Sequence, residues 1–155
     1  MTFHLDTLLN LPNVIADSYA NTLDAIVVRL QLINAGINCP NCNEYICQVH
    51  QTRPVLVRDL SVFGQVVYLK VPRRQFYCSS CKISPTESLL WLNKKQRQTN
   101  RYQEYIYEKV KELTVKQVSV AGHPPRSENE KMSEDAIQDI FHKVAQSKKA
   151  DARFC

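Results

Sequence analysis

Residues 39–42 read CPNC and residues 78–81 read CSSC, and the 35 residues between them decide how this chain is read. A CxxC turn sets two sulfurs on one tight knuckle, each able to reach a single ion at a Zn–S distance of about 2.3 Å. Cys39, Cys42, Cys78 and Cys81 together supply four thiolates and close a tetrahedron around one structural Zn²⁺. Four protein ligands leave no open coordination position, which excludes a catalytic zinc. A rubredoxin-like iron site uses the same donors, but it wants glycine after each knuckle, and Asn43 and Lys82 stand there instead. Cys47 and His50 are close enough to compete as ligands and read as strand residues; Cys155 reads as a free terminal thiol.

Working outward from the knuckles, the intervening stretch is rich in β-branched and aromatic residues. EYICQVHQ, PVLVRDL, QVVYLKVP and RRQFYC read as four short strands of a small antiparallel sheet, with Gly64 as a turn. So small a sheet buries too little to stand alone, and the ion contributes folding free energy directly. Arg73, Arg74 and Lys82 flank the second knuckle, placed to offset the net negative charge of four thiolates on one zinc. Upstream, residues 4–10 suit a turn or two of helix. NVIADSYA and DAIVVRLQLI then read as a hairpin, with Asn21 and Asp24 as turn residues.

Helical spacing appears only after residue 93. Tyr102, Ile106, Val110 and Leu113 share a face in NRYQEYIYEKVKEL, with Asn100 as N-cap and Gln103 completing a capping box. Thr114 and Gln117 repeat that signature, so a second short helix is expected from Val115. GHPPRSENEK is a loop; Ser133 then opens a third helix with Ala136, Ile137, Ile140, Phe141 and Val144 on its apolar face. Two capped helices followed by a third is the outline of a helix-turn-helix, whose last helix enters the major groove.

Charge is unevenly spread. The formal +5 of the chain resolves into −3 for residues 1–52, +8 for residues 53–116 and balance thereafter. A concentrated basic region is the footprint of phosphate-backbone binding. The candidates for phosphate contact are Arg73, Arg74, Lys94, Lys95, Arg97 and Arg101; Gln138, His142 and Lys143 are candidates for base contact. The first group fixes position and only the second can encode sequence preference. No apolar run approaches the roughly 18–20 residues that cross a bilayer. MTFHLDTLLNLPNV lacks a basic start and a small-residue cleavage site, so the expected location is the cytoplasm, where paired CxxC turns hold metal rather than disulfides.

CPNC, then VRDLSVFGQVVYLKVPRRQFYCSSC, then NRYQEYIYEKVKELTVKQVS together resemble the N-terminal region of transposases of the insertion-sequence L-three group. The pairing of RDL with RRxFxC is the distinctive part, and SEDAIQDIFHKVA looks like the family's recognition helix. The resemblance implies double-stranded DNA as partner, by way of terminal inverted repeats, and leaves homo-oligomerisation open. Full members carry a catalytic domain with three metal-binding carboxylates. No such domain fits within these 155 residues, so no enzymatic activity is expected of the chain.

The expected fold class is therefore α+β. An N-terminal hairpin region (1–37) precedes a zinc ribbon (38–93), a helix-turn-helix-like module (94–146) and a tail (147–155). The rival reading is a zinc-ribbon adaptor that docks a protein through its sheet edge.

Overall fold

The computed structural model describes residues 4–113, 117 and 133–151. Strands β1 (Val14–Asn21) and β2 (Ala25–Leu32) form the expected hairpin, paired from Val14 opposite Leu32 to Asn21 opposite Ile26 with a one-residue shift of register at Asp17. Thr22 closes it: its amide donates to the Ala25 carbonyl at 2.8 Å and its hydroxyl accepts from the Ala25 amide at 3.0 Å. Short strands β3 (Ile37–Asn38) and β4 (Tyr45–Ile46) pair around the first knuckle.

The four strands expected between the knuckles are largely two long ones, β5 (Val49–Val62) and β6 (Gln65–Phe76). Pro54 and Pro72 look like strand ends in sequence, but they face each other in the ladder. Their missing amide donors thus fall on one rung, outside the part of β6 (66–70) that pairs on its other side. Phe63 and Gly64 make the two-residue turn, both at positive φ (50° and 75°), the handedness that suits a hairpin's twist.

A two-stranded ribbon cannot bury a face by itself. Here the N-terminal hairpin completes it: β2 runs parallel to β6, Ala25 beside Val66 through Arg29 beside Lys70, giving one sheet of order β1-β2-β6-β5. Hairpin and ribbon accordingly share one core. Val28 and Leu30 pack with Val57, Leu69 and Val71, covered by Leu9 of α1 (Leu5–Leu9) and by Trp91 and Leu92.

Helix α2 (Asn100–Glu112) is capped one residue earlier than expected. Thr99, in extended conformation, accepts from the Tyr102 amide, and the Gln103 side chain turns to Gln96 instead of closing a box. Helix α3 (Glu134–Asp151) starts at Ser133 as expected, whose hydroxyl accepts from the Ala136 amide at 3.2 Å. It runs through most of the segment read as a tail. Tyr102, Ile106, Ile137 and Ile140 form the core between the two helices, with Leu60 of β5 against it. Tyr107 stacks on Phe141 at 5.0 Å between ring centroids. The second helix expected from Val115 and the GHPPRSENEK loop fall in residues 114–132, outside the described residues apart from Gln117.

Candidate metal centre and the basic loop beside it

Each knuckle is built the same way. The first cysteine is buried and its amide is tied to the residue five positions on: Cys39 N donates to Glu44 O at 2.8 Å, and Cys78 N to Ile83 O at 2.9 Å. The residue after each knuckle, Asn43 or Lys82, takes a left-handed backbone (φ 59° and 53°). Both therefore supply without glycine the turn that glycine would supply. The missing glycines do not separate iron from zinc after all. Ser80 Oγ donates to Glu44 Oε2 at 2.5 Å and fastens one knuckle to the other. Ile46 and Phe76 form the apolar floor.

The four sulfurs lie within 4.8 Å of one another, and Cys42 Sγ is 3.6 Å from Cys78 Sγ. Sulfurs on a zinc tetrahedron of 2.3 Å bonds stand about 3.8 Å apart, so the donor set fits the ion. Backbone amides of Cys42 and Asn41 hold the Cys39 thiol down to about 7, which favours the thiolate that a metal ion needs. Cys81, which the sulfur of Cys42 crowds most, is pushed up to about 12. Cys47 is exposed and stands outside the quartet.

Beyond the sheet, residues 97–99 lie along the free edge of β5. Arg58 N donates to Arg97 O at 2.7 Å and Thr99 N to Arg58 O at 2.9 Å, a parallel bridge onto Arg58–Gln98. The RDL triplet is this joint. Arg58 sits between the rings of Tyr68 (5.5 Å) and Tyr102 (5.2 Å), a cation–π pair of contacts. Asp59, 2% exposed, accepts from Thr99 Oγ1 at 2.8 Å and from the Arg101 guanidinium through both oxygens. Burial alone would raise its carboxyl; the bonds from Arg101 and then Thr99 outweigh it and hold the group below its ordinary value. Leu60 enters the helix core.

Two buried carboxylates, Asp59 in the joint and Glu87 outside it, decide where two of the sequence-predicted cations point. Arg101 is drawn inward to Asp59 and to the Leu9 carbonyl at 2.5 Å. Arg74 is drawn inward as well, forked onto Glu87 at 2.8 and 2.9 Å and onto Asn34 O at 2.8 Å. Glu87 is itself only 2% exposed. Arg73 lies half-buried opposite Arg53, and burial lowers its proton affinity while Glu87 restores part of it. Lys94, Lys95 and Arg97 are exposed and have no side-chain partner among the described residues. On α3, Gln138, His142 and Lys143 are all exposed, with His142 edge-on to Phe141. Asp59 and Glu87 are the buried arginine-holding carboxylates that charge-counting passes over, although the RDL triplet marks the first of them.

The stretch 35–81 matches the family described as the zinc-finger of transposase IS204/IS1001/IS1096/IS1165. These residues carry a zinc ribbon of the insertion-sequence transposase type. Over 63 residues the chain is 43% identical to the transposase for insertion sequence element IS1001 of Bordetella parapertussis, a stretch covering 41% of this chain and 16% of that transposase. The chain thus spans a small part of the length of the curated relative it matches. No solved structure matches the chain. With the ribbon assigned, the donor set reads as one structural zinc held by Cys39, Cys42, Cys78 and Cys81. Among the described residues no helix is long and apolar enough to cross a membrane.

Proposed function

We propose that this chain is the zinc-dependent DNA-binding part of an insertion-sequence transposase, holding the terminal inverted repeats of its element without itself cutting or joining DNA. The observation that carries the reading is the match of residues 35–81 to a transposase zinc finger. Three unpaired cations, Lys94, Lys95 and Arg97, lie on a loop that the RDL joint fixes at the ribbon's edge. In this reading they and Arg73 hold phosphates and set the register. Gln138, His142 and Lys143, exposed on α3, reach base edges. The metal orders the knuckles and takes no part in chemistry, and the only metal-capable group of three or more side chains among the described residues is the cysteine quartet.

Duplex affinity measured by fluorescence anisotropy at several salt concentrations tests this. Each phosphate contact releases counterion, so four contacts give a slope of log K against log[salt] of about −3.6. Replacing Lys94, Lys95 and Arg97 with Ala is expected to flatten the slope by about 2.7, with zinc content unchanged. Gln138→Ala is expected to change preference between the terminal repeat and a scrambled duplex. A chain that binds neither duplex at low salt overturns the reading.

A protein-docking adaptor is the second reading, and one observation favours it. The parallel β2–β6 pairing sets two hairpin tips side by side, where Leu23 and Phe63 are 90% and 100% exposed.

A further inference from the structure

A cleft of about 680 Å³ opens between the β3–β4 hairpin of the first knuckle and the segment 83–88 that follows the second. That volume lies in the range of roughly 300–1,000 Å³ typical of small-ligand sites. Asn34, Asn38, Ser84 and Ser88 line it, and none of their four side chains has a protein partner among the described residues. These side chains stand open to solvent at the cleft and are free to exchange water for the polar edge of a ligand. Ile37, Pro40, Ile83 and Pro85 supply flat apolar wall between them.

Tyr45 supplies an aromatic face. Its ring lies against Gly36, where an added methyl would come within 2.8 Å of Cζ and 2.9 Å of Oη, and within 2.3 Å of the Ile46 carbonyl. Only glycine lets the ring settle there, yet Tyr45 remains 59% exposed and its hydroxyl bonds to nothing among the described residues. Lys94 is the one cation in the lining, and no carboxylate belongs to it.

An aromatic face, several neutral donors and acceptors and a single cation match a nucleotide, which has one base with a mixed edge and one phosphate. A base stacked within a duplex shows only its edge, whereas this cleft offers surfaces to both edge and face. We propose that the cleft is a slot for one unpaired nucleobase, stacked on Tyr45, with its phosphate at Lys94. The proposal rests on the DNA reading above and adds to it a preference for duplex carrying an unpaired extension.

The test compares a blunt hairpin duplex of mixed sequence with the same duplex bearing a five-nucleotide single-stranded extension that contains 2-aminopurine. The extension is expected to tighten binding roughly tenfold, the order of one base stacked on an aromatic ring, and the 2-aminopurine fluorescence is expected to be quenched on binding. Tyr45→Ala is expected to remove both effects and leave blunt-duplex affinity and zinc content as they were; Tyr45→Phe is expected to keep both. Asn38→Ala, which leaves the ring in place, is expected to lose part of the gain. Equal binding of the two DNAs, or a gain untouched by Tyr45→Ala, overturns the slot and leaves the duplex reading standing. Binding of the extension without the blunt duplex supports the slot and overturns duplex recognition. Binding of neither overturns both.

Discussion

Replacing Asp59 with Ala is expected to loosen the joint between the ribbon and the helices far more than a surface charge change would. The carboxylate is 2% exposed and accepts from Thr99 and, through both oxygens, from Arg101. Its removal leaves the buried Thr99 hydroxyl, which keeps the bond it accepts from Tyr102, with no acceptor for its own proton, and takes the paired carboxylate from a guanidinium whose side chain is 33% exposed. Removing one partner of a buried ion pair costs about 3–5 kcal/mol. Arg101 keeps some water contact and its bond to the Leu9 carbonyl, so the low end, about 3 kcal/mol, applies. In a chain of this size each kcal/mol moves Tm by about 2–4 °C, which gives a drop of about 6–12 °C. Zinc-loaded protein heated under circular dichroism at pH 7 measures it. The sign with pH follows from the depressed folded pKa of Asp59. Its contribution is complete above the unfolded value near 3.9 and is lost as pH falls through the lower folded one, so pH 7 reports all of it. Asp59→Ala with Arg101→Ala is expected to cost little more than Asp59→Ala alone, because the pair is broken once. A Tm within 2 °C of the parent for Asp59→Ala, or strict additivity in the double variant, refutes the account of the joint.

Elemental analysis is expected to find one zinc per chain; Cys78→Ser is expected to lose the metal and unfold the knuckles, whereas Cys47→Ser leaves both intact. Stoichiometric iron, or a folded metal-free protein, contradicts this. Arg74→Lys is expected to lower stability by about 2 kcal/mol in urea titrations, because a lysine cannot fork onto buried Glu87 and also reach the Asn34 carbonyl. A midpoint equal to the parent's speaks against it. Supercoiled plasmid incubated with the pure chain and Mg²⁺ or Mn²⁺ is expected to stay uncut; cleavage that follows the protein through further purification contradicts the non-catalytic reading.

What the sequence discloses here is what neighbours in sequence settle between themselves. Each CxxC knuckle, the β1–β2 hairpin, the Gly64 turn and the Ser133 cap are local patterns that stand in the structure, and the two knuckles find each other across the sequence only because both advertise the same metal chemistry. Distance in sequence hides the rest. Arg101 and Arg74 look like phosphate ligands because their charge is visible and their partners, 42 and 13 residues away, are not. Asn100 looks like a cap because nothing local reveals that Thr99 also answers to Asp59. Pro54 and Pro72 look like strand ends until their register shows that they share a rung. The parallel contact of β2 with β6 leaves no periodicity to read, since either strand alternates in the same way with or without it.

That parallel contact also bears on the order in which the chain folds. Arg29 meets Lys70 about 40 positions further along, and closing so long a loop is slow because its entropy is lost before the contacts are made. The cysteine quartet sits just downstream of both strands. Once one ion holds Cys39 and Cys42 to Cys78 and Cys81, the path from Arg29 to Lys70 shortens to about 18 residues. By the logarithmic scaling of closure entropy that is worth about 0.7 kcal/mol, a roughly threefold gain in rate if the strands meet in the transition state. Zinc is then a kinetic clamp as well as a structural one, and in refolding experiments the N-terminal hairpin should dock after the metal has bound.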